Sequence, residues 1–502
     1  MGLRKKRPGL LALLILALAL WLGGCGGASG LQDGTYAVDL RLEGGSGRAG
    51  VLSPAQLEVE QGRMTLTLVW TSANYDYMLL DGQKYTPLSL EPGSTFRLPV
   101  ERLGAPMEVA ANTTAMSTPH EIQYTLTIFA PGEHPETAAP AEPETAAESA
   151  DTLRRQLEEV LVYDHSMELE YAQGFAVDCY QGGYCLLTIP GDGRSCLVVP
   201  EGQPVPSGLP ESLTLLCQPL DRIYLAASSV MDLFLSLDAL DAVAFTGTRQ
   251  DSWHLPRVRE AMAQGRLAYG GSYSTPDYER ICAAGCSLAI ESTMIYHAPE
   301  VRQQLERFGV PVLVDRSSYE PSPLGRVEWI KLYGLLTGRE QEAQRAFDAQ
   351  KAAFAALEQQ PATGKTVVFF YLPSGGGVNV RRAGDYIPQL IRMAGGCYLP
   401  QPGGEESGSG TFSMEMEAFY ALAKQADYLI YNSTIEGELD TLEALLARAP
   451  LLANCRAVQQ GQVFCTTQDL YQSSMALGDF AQDLAGMLAG QRRGLCYLYP
   501  LE

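Results

Sequence analysis

The chain has 502 residues, 46% of them hydrophobic and 19% charged, with 58 acidic against 36 basic side chains and a formal net charge of −22. That length and apolar content suffice for two or three domains with large cores. The acidic balance disfavours nucleic acid and anionic lipid headgroups, so no nucleic-acid role is expected.

Arg4, Lys5, Lys6 and Arg7 precede an apolar run, Leu10–Leu22. The run is shorter than the roughly 20 residues of a membrane span and suits a signal-peptide core. It ends in Leu22-Gly23-Gly24-Cys25, which resembles the bacterial lipoprotein cleavage box. The resemblance implies a signal peptide over 1–24, a lipidated tether over 25–32 and a lipid on Cys25. That lipid would hold the protein outside the cytoplasmic membrane of a bacterium, expected to be Gram-positive. The plainer alternative is an ordinary secretory signal with Cys25 as a bystander.

Residues 33–130 read as short alternating strands: Tyr36–Leu42, Gln56–Glu60, Met64–Trp70 and Tyr124–Phe129. Turn signals separate them at Gln61-Gly62, Asp81-Gly82 and Pro92-Gly93, as in a β-sandwich. Residues 131–150 are rich in Pro, Glu, Ala and Thr and have no apolar pattern, so they form an acidic linker.

Residues 151–323 open β-rich and then alternate strand and helix. Arg222–Leu225, Ala242–Phe245, Ser287–Ile290 and Val310–Val314 are buried-type strands. Between them Val230–Leu240, Asp277–Ala284 and Val301–Phe308 are helices, the first capped by Ser228 or Ser229. This is an α/β lobe on a parallel sheet. Residues 324–358 show helical spacing through Trp329, Leu332, Phe347, Phe354 and Leu357, with no proline. A continuous helix there would be on the order of 50 Å long. Residues 364–502 begin with the strand Thr366–Tyr371 and form a second α/β lobe. Of the 11 cysteines, the ten after Cys25 show no tight zinc spacing and read as buried small residues with a disulfide or two.

Two α/β lobes joined by a long helix resemble the ABC-importer binding proteins for ferric siderophores, haem and cobalamin. The carrying stretches are Asp277–Ile281 with Ser287–Ile290, then Pro321–Gly325 with Glu328–Lys331. In the second lobe they are Gly375–Val380, Ala394-Gly395-Gly396 and Ser413–Glu417. Cys286-Ser287 stands where the family usually has Pro-Asp. The resemblance implies a permease and an ATPase as partners, with Glu279 and Glu417 docking onto permease arginines and Glu415 a rival for the second. It implies a ligand cleft between the lobes, with Ser229, Tyr273, Tyr296, His297, Arg381, Arg382 and Tyr386 as candidate contacts. Tyrosine faces suit a macrocycle, and guanidiniums suit carboxylates. The transported ligand would be haem or an Fe(III)-siderophore, or alternatively cobalamin.

The sandwich is similar to NEAT domains through Asp33–Tyr36, Val59–Gly62, Asn74–Met78 and His120–Tyr124. Haem-binding members carry two tyrosines four apart on the last hairpin. Here the pair is His120 and Tyr124, candidate iron ligands with Met116 as a further one. The plainer alternative has His120 ending a turn and Tyr124 packing in the core. Rival functions are a surface haem receptor and an adhesion lipoprotein. No enzyme is expected. Gly364-Lys365-Thr366 lacks the first glycine of a phosphate loop, no GxSxG is present, and 5 histidines leave little for general base chemistry.

Overall fold

The computed structural model describes residues 31–502, except 32–33, 45–49, 54, 61, 73, 91–92, 115–119, 131–151, 211, 359–361, 374–375 and 401–409. The side chains of Ala37, His120, His297 and Glu358 also lie outside the described part. The signal 1–24, the lipidation residue Cys25, the linker 131–150 and Met116 therefore lie outside it. The chain divides into two compact units, residues 1–140 and 141–502.

The first unit is an antiparallel sandwich. One sheet pairs β1 (Gly34–Val38), β3 (Ala55–Glu60), β4 (Arg63–Val69) and β7 (Thr95–Val100) in that order. The other runs β2 (Leu40–Gly44), β9 (His120–Ile128), β8 (Pro106–Thr113), β5 (Tyr75–Leu80) and β6 (Gln83–Tyr85). The alternation in β3, buried at Ala55, Leu57 and Val59, turns one face inward. The expected single strand Tyr36–Leu42 is two strands in opposite sheets. The chain crosses at Asp39, whose carbonyl accepts from Phe129 N (3.0 Å). Ser53 Oγ bonds both Leu40 N (3.0 Å) and Asp39 Oδ1 (3.2 Å). The corner thus satisfies the polar groups that a switch of sheet would orphan.

The second unit has three main sheets. β10 (Tyr163–Ser166), β11 (Ala176–Tyr180), β12 (Cys185–Ile189), β13 (Arg194–Val199) and β14 (Thr214–Cys217) form one in sequence order. The β-rich opening of the first lobe is therefore a sheet of its own. The lobe's sheet is wholly parallel, with β15 (Ile223–Leu225) flanked by β16 (Val243–Thr246) and β17 (Ala268–Tyr269) on one side. A short antiparallel ribbon, β18 (Gly271–Ser272) with β19 (Thr275–Pro276), follows β17. β20 (Leu288–Ser292) and β21 (Val312–Asp315) lie on the other side of β15. The second lobe is mixed: β22 (Thr366–Tyr371), β24 (Cys397–Leu399), β26 (Tyr428–Tyr431) and β27 (Val463–Thr466) run parallel. β23 (Val378–Arg381) and β25 (Thr411–Met414) extend it antiparallel. One apolar cluster runs through all three sheets, from Val177 and Leu187 through Leu225 and Ile290 to Phe369, Ile430 and Phe464.

The expected rod over 324–358 is three successive helices, Pro323–Glu328, Ile330–Thr337 and Glu340–Glu358. Gly338, left-handed at φ 66°, ends the second. Gly334 lets the next helix come close, since a Cβ there would stand 2.6 Å from Ala343 Cβ. The last helix, about 28 Å long, reaches the second lobe through Gln350 Oε1, which accepts from Gly478 N at 3.0 Å. The expected helix Val230–Leu240 shortens to Met231–Ser236, and no serine side chain caps it.

Two carboxylates clasp the segment between β10 and β11. Glu328 is fully buried and accepts from the backbone N–H of Glu170, Tyr171 and Ala172, and from Lys331 Nζ (2.8 Å). Glu320 accepts from Gln173 N, Gly174 N and Trp329 Nε1. Despite its burial, Glu328 is held below the ordinary carboxylate range by these donors.

Candidate functional site

Loops at the carboxyl ends of the two lobes' parallel strands meet, and such ends are the usual place for a ligand in open α/β sheets. The loop after β27 reaches the loops after β15 and β16. Gln472 accepts from His254 N (2.7 Å) and donates to Ser252 O (2.9 Å), and Ser474 Oγ donates to Ser229 O (2.6 Å). Met475 N donates to Asp232 Oδ2 (2.8 Å). Elsewhere the loop after β21 meets the second lobe, where Gln389 Nε2 donates to Pro321 O at 2.6 Å. These ties fix the spacing of the lobes.

Between those ties stands a stack of cations and rings. The Tyr386 ring lies 3.9 Å from the Arg326 guanidinium and 5.7 Å from that of Arg381. Arg316 covers the Tyr319 ring at 4.6 Å, and Arg382 lies 5.6 Å from Phe412. Arg326 Nη1 donates to Ser318 O (3.0 Å), which joins the Arg316 loop to the stack. The Arg381 side chain is 21% exposed, and its nearest carboxylate, Asp385, is 3.7 Å away. Asp385 is already engaged, accepting from Ile387 N at the start of the helix Tyr386–Met393 and from Gly410 N. Among the described residues no carboxylate lies within 4.0 Å of Arg316 or Arg326. A half-buried guanidinium with so little counter-charge leaves room for an incoming anion.

The structure thus brings Arg381 and Tyr386 together, leaves Arg382 on Phe412, and adds Arg326 with the neighbouring Arg316 and Tyr319, which the sequence reading passed over. Their signal was position, since Arg316–Tyr319 directly follow a strand end. Tyr296 is different. Its hydroxyl donates to Asp192 Oδ1 (2.8 Å), and Asp192 also pairs with Arg302 through two bonds of 2.8 and 2.9 Å. Burial, with Asp192 beside it, pushes the Tyr296 phenol up. Tyr296 therefore fastens the β12–β13 turn to the first lobe, and its hydroxyl also accepts from Arg316 Nη1 at 3.4 Å. Ser229 offers its carbonyl to Ser474, so it serves the tie between lobes. His297 is at the end of the turn Thr293–His297.

Tyr273 is half-buried near Glu291, and burial together with Glu291 raises its phenol. Glu291, on β20, is fully buried, and neither carboxyl oxygen has a hydrogen-bond partner among the described residues. Burial raises this carboxyl well above its usual range, which favours its neutral form.

Glu279 is in the first turn of the helix Tyr278–Ala283, which Asp277 caps by accepting from Arg280 N (3.1 Å). Glu417 is in the first turn of Met416–Ala423. Both are exposed, as is Glu415. Each lobe thus presents a carboxylate at a helix start, where the helix dipole favours it.

In the sandwich, Tyr124 corrects its expectation as an iron ligand. It is 2% exposed, and its hydroxyl shares a 3.1 Å hydrogen bond with Tyr75. Trp70 stacks on Tyr75 at 4.0 Å, meets Tyr124 edge-on at 5.0 Å and donates Nε1–H to Met78 Sδ (3.3 Å). The phenol faces the core and is closed off from a ligand. Backbone placement puts His120 opposite Thr113, at the start of β9.

Comparison with known proteins gives three findings. Residues 223–470 match the family described as periplasmic binding protein, whose members bind substrates and are not enzymes. An uncharacterized lipoprotein of Methanocaldococcus jannaschii is 23% identical over 355 residues, 66% of this chain and 83% of the relative. Among solved structures, a periplasmic haem-binding protein of Vibrio cholerae is 22% identical, covering 53% of this chain and 98% of its own, with TM-score 0.44. An ABC-type Fe3+-hydroxamate transport protein of Saccharomonospora viridis is 19% identical, covering 54% and 94%, with TM-score 0.42. No helix among the described residues is long and apolar enough to cross a membrane.

Proposed function

Taking the periplasmic-binding-protein match over residues 223–470 as premise, we propose that the chain is the extracytoplasmic, lipid-anchored substrate-binding component of an ABC importer. It captures an anionic iron complex, a ferric siderophore or haem, and delivers it to a permease and its ATPase. The observation that carries the ligand class is the stack Arg326–Tyr386–Arg381, with Arg316 beside it. Guanidiniums backed by rings and short of carboxylates favour carboxylate groups on the ligand. A neutral corrinoid would leave those charges uncompensated, which ranks cobalamin lower.

Tryptophan fluorescence and visible absorbance, recorded while the full chain is titrated separately with haem, a ferric carboxylate siderophore and cobalamin, test the reading. Saturable micromolar or tighter binding of one anionic complex, weakened in Arg381→Ala, is expected. Binding of cobalamin alone would overturn the ligand class. For delivery, a Glu279→Ala, Glu417→Ala double variant is expected to keep its ligand affinity and to lose uptake in cells carrying the cognate permease. Unchanged uptake would remove both residues from docking.

A further inference from the structure

We propose that Cys179 and Cys185 close a disulfide across the β11–β12 hairpin, which makes this hairpin a redox-modified site. Of the ten cysteines in the described part, these two have their sulfurs in contact, at 2.7 Å. They are directly opposed in the register. Tyr180 N donates to Tyr184 O, so the neighbouring pair 180/184 is hydrogen-bonded and 179/185 falls on the alternate, non-hydrogen-bonded rung. There the Cα atoms of opposed residues stand about 4.5 Å apart, inside the range a disulfide accepts. Cys179 is half-buried and Cys185 buried, so one sulfur is open to an exchange partner and the other is held behind it.

The neighbours favour the chemistry. His165 stands opposite Cys179 on β10, with its Nδ1 2.9 Å from Asp164. The contact with Cys185, and less strongly the imidazole of His165, pulls the Cys179 thiol down, while that contact and burial push Cys185 up. Cys179, the more open of the two sulfurs, is the attacking thiolate and Cys185, buried behind it, the resolving thiol. The Cys179 thiolate attacks a small or protein disulfide outside the membrane. A mixed S–S bond forms, the donor's S–S bond breaks, and the leaving thiolate takes up the proton that Cys179 released on ionising. Cys185 then loses its proton and attacks the Cys179 sulfur, expelling the second donor thiol. Two thiols are oxidised and one donor disulfide is reduced.

The test uses the reduced, purified full chain incubated with oxidised glutathione, quenched with acid, alkylated with N-ethylmaleimide and mapped by mass spectrometry. The expected result is one peptide pair joined through 179 and 185, unlabelled until dithiothreitol is added. A second readout is thermal melting. Dithiothreitol is expected to lower the wild-type transition by several degrees and to leave the Cys179→Ser, Cys185→Ser double variant unmoved. Full labelling of both thiols after oxidation, or either one joined to a different cysteine, would overturn the proposal. The outcome is independent of which ligand the cleft takes.

Discussion

Tyrosine does opposite work in the two units. In the sandwich, Tyr75 and Tyr124 bond to each other beneath Trp70 and are 6% and 2% exposed, so the phenols satisfy themselves in a closed core. Between the lobes, the Tyr386 ring backs two guanidiniums, that of Arg326 and that of Arg381, whose one close carboxylate, Asp385, is 3.7 Å away and already accepts from two backbone N–H groups. The residue type is the same in both places, and what differs is whether its polar partners are already taken. A tyrosine-rich stretch therefore points to a ligand only where charge has been left uncompensated.

That contrast can be broken by mutation, starting with the deepest side chain. Trp70→Ala should destabilise the sandwich by about 3–5 kcal/mol, measured by urea unfolding. Ligand affinity in the cleft should stay within about twofold, since a change under ~0.4 kcal/mol is expected for a site that loses no contact. Arg381→Ala should do the reverse. It should weaken an anionic iron complex by about 10–100-fold, equivalent to 1.4–2.7 kcal/mol, with little change in melting. Equal losses for neutral and anionic ligands would show that Arg381 only shapes the wall. Tyr124→Phe should cost about 1 kcal/mol in unfolding and leave any haem absorbance of the full chain unchanged. A lost Soret band would reinstate the sandwich as a haem site.

The smallest effect is a pH slope. The folded-state pKa of Glu291 lies above its unfolded value. The stability held by its neutral form is fully present below the unfolded pKa of about 4.3 and is lost as pH rises through the folded pKa. Glu291→Gln should flatten that loss between acidic and alkaline urea titrations. An identical slope in both proteins would mean that Glu291 is compensated in the folded state.

Much of the architecture was legible from periodicity. The strands Gln56–Glu60 and Met64–Trp70 alternate cleanly and lie within a residue of β3 and β4. The parallel strands of the first lobe are short apolar runs between helices, and they form the sheet that pattern implies. What escaped depends on contacts distant in sequence. Asp39 divides one alternating run between two sheets through Ser53 and Phe129. Gly338 ends a helix that spacing alone would continue, because apolar residues recur on both sides of it. In the candidate site, Arg381 closes β23 and Tyr386 opens the helix that follows, places that a strand-to-helix pattern marks in the sequence. The bond from Tyr296 to Asp192 was not legible, because that partner lies about a hundred residues away, on the turn between β12 and β13.

The clasp formed by Glu320 and Glu328 has an evolutionary consequence. It holds main-chain N–H groups, which every residue but proline supplies, so the grip itself does not depend on the side chains from Glu170 to Gln173. Gly174 is the exception, since a Cβ there would come within 2.8 Å of Glu320 Oε1. Substitutions should therefore accumulate at the exposed Gln173, while Ala172 stays small in its buried place and the two holders and that glycine stay fixed among relatives that keep this sheet.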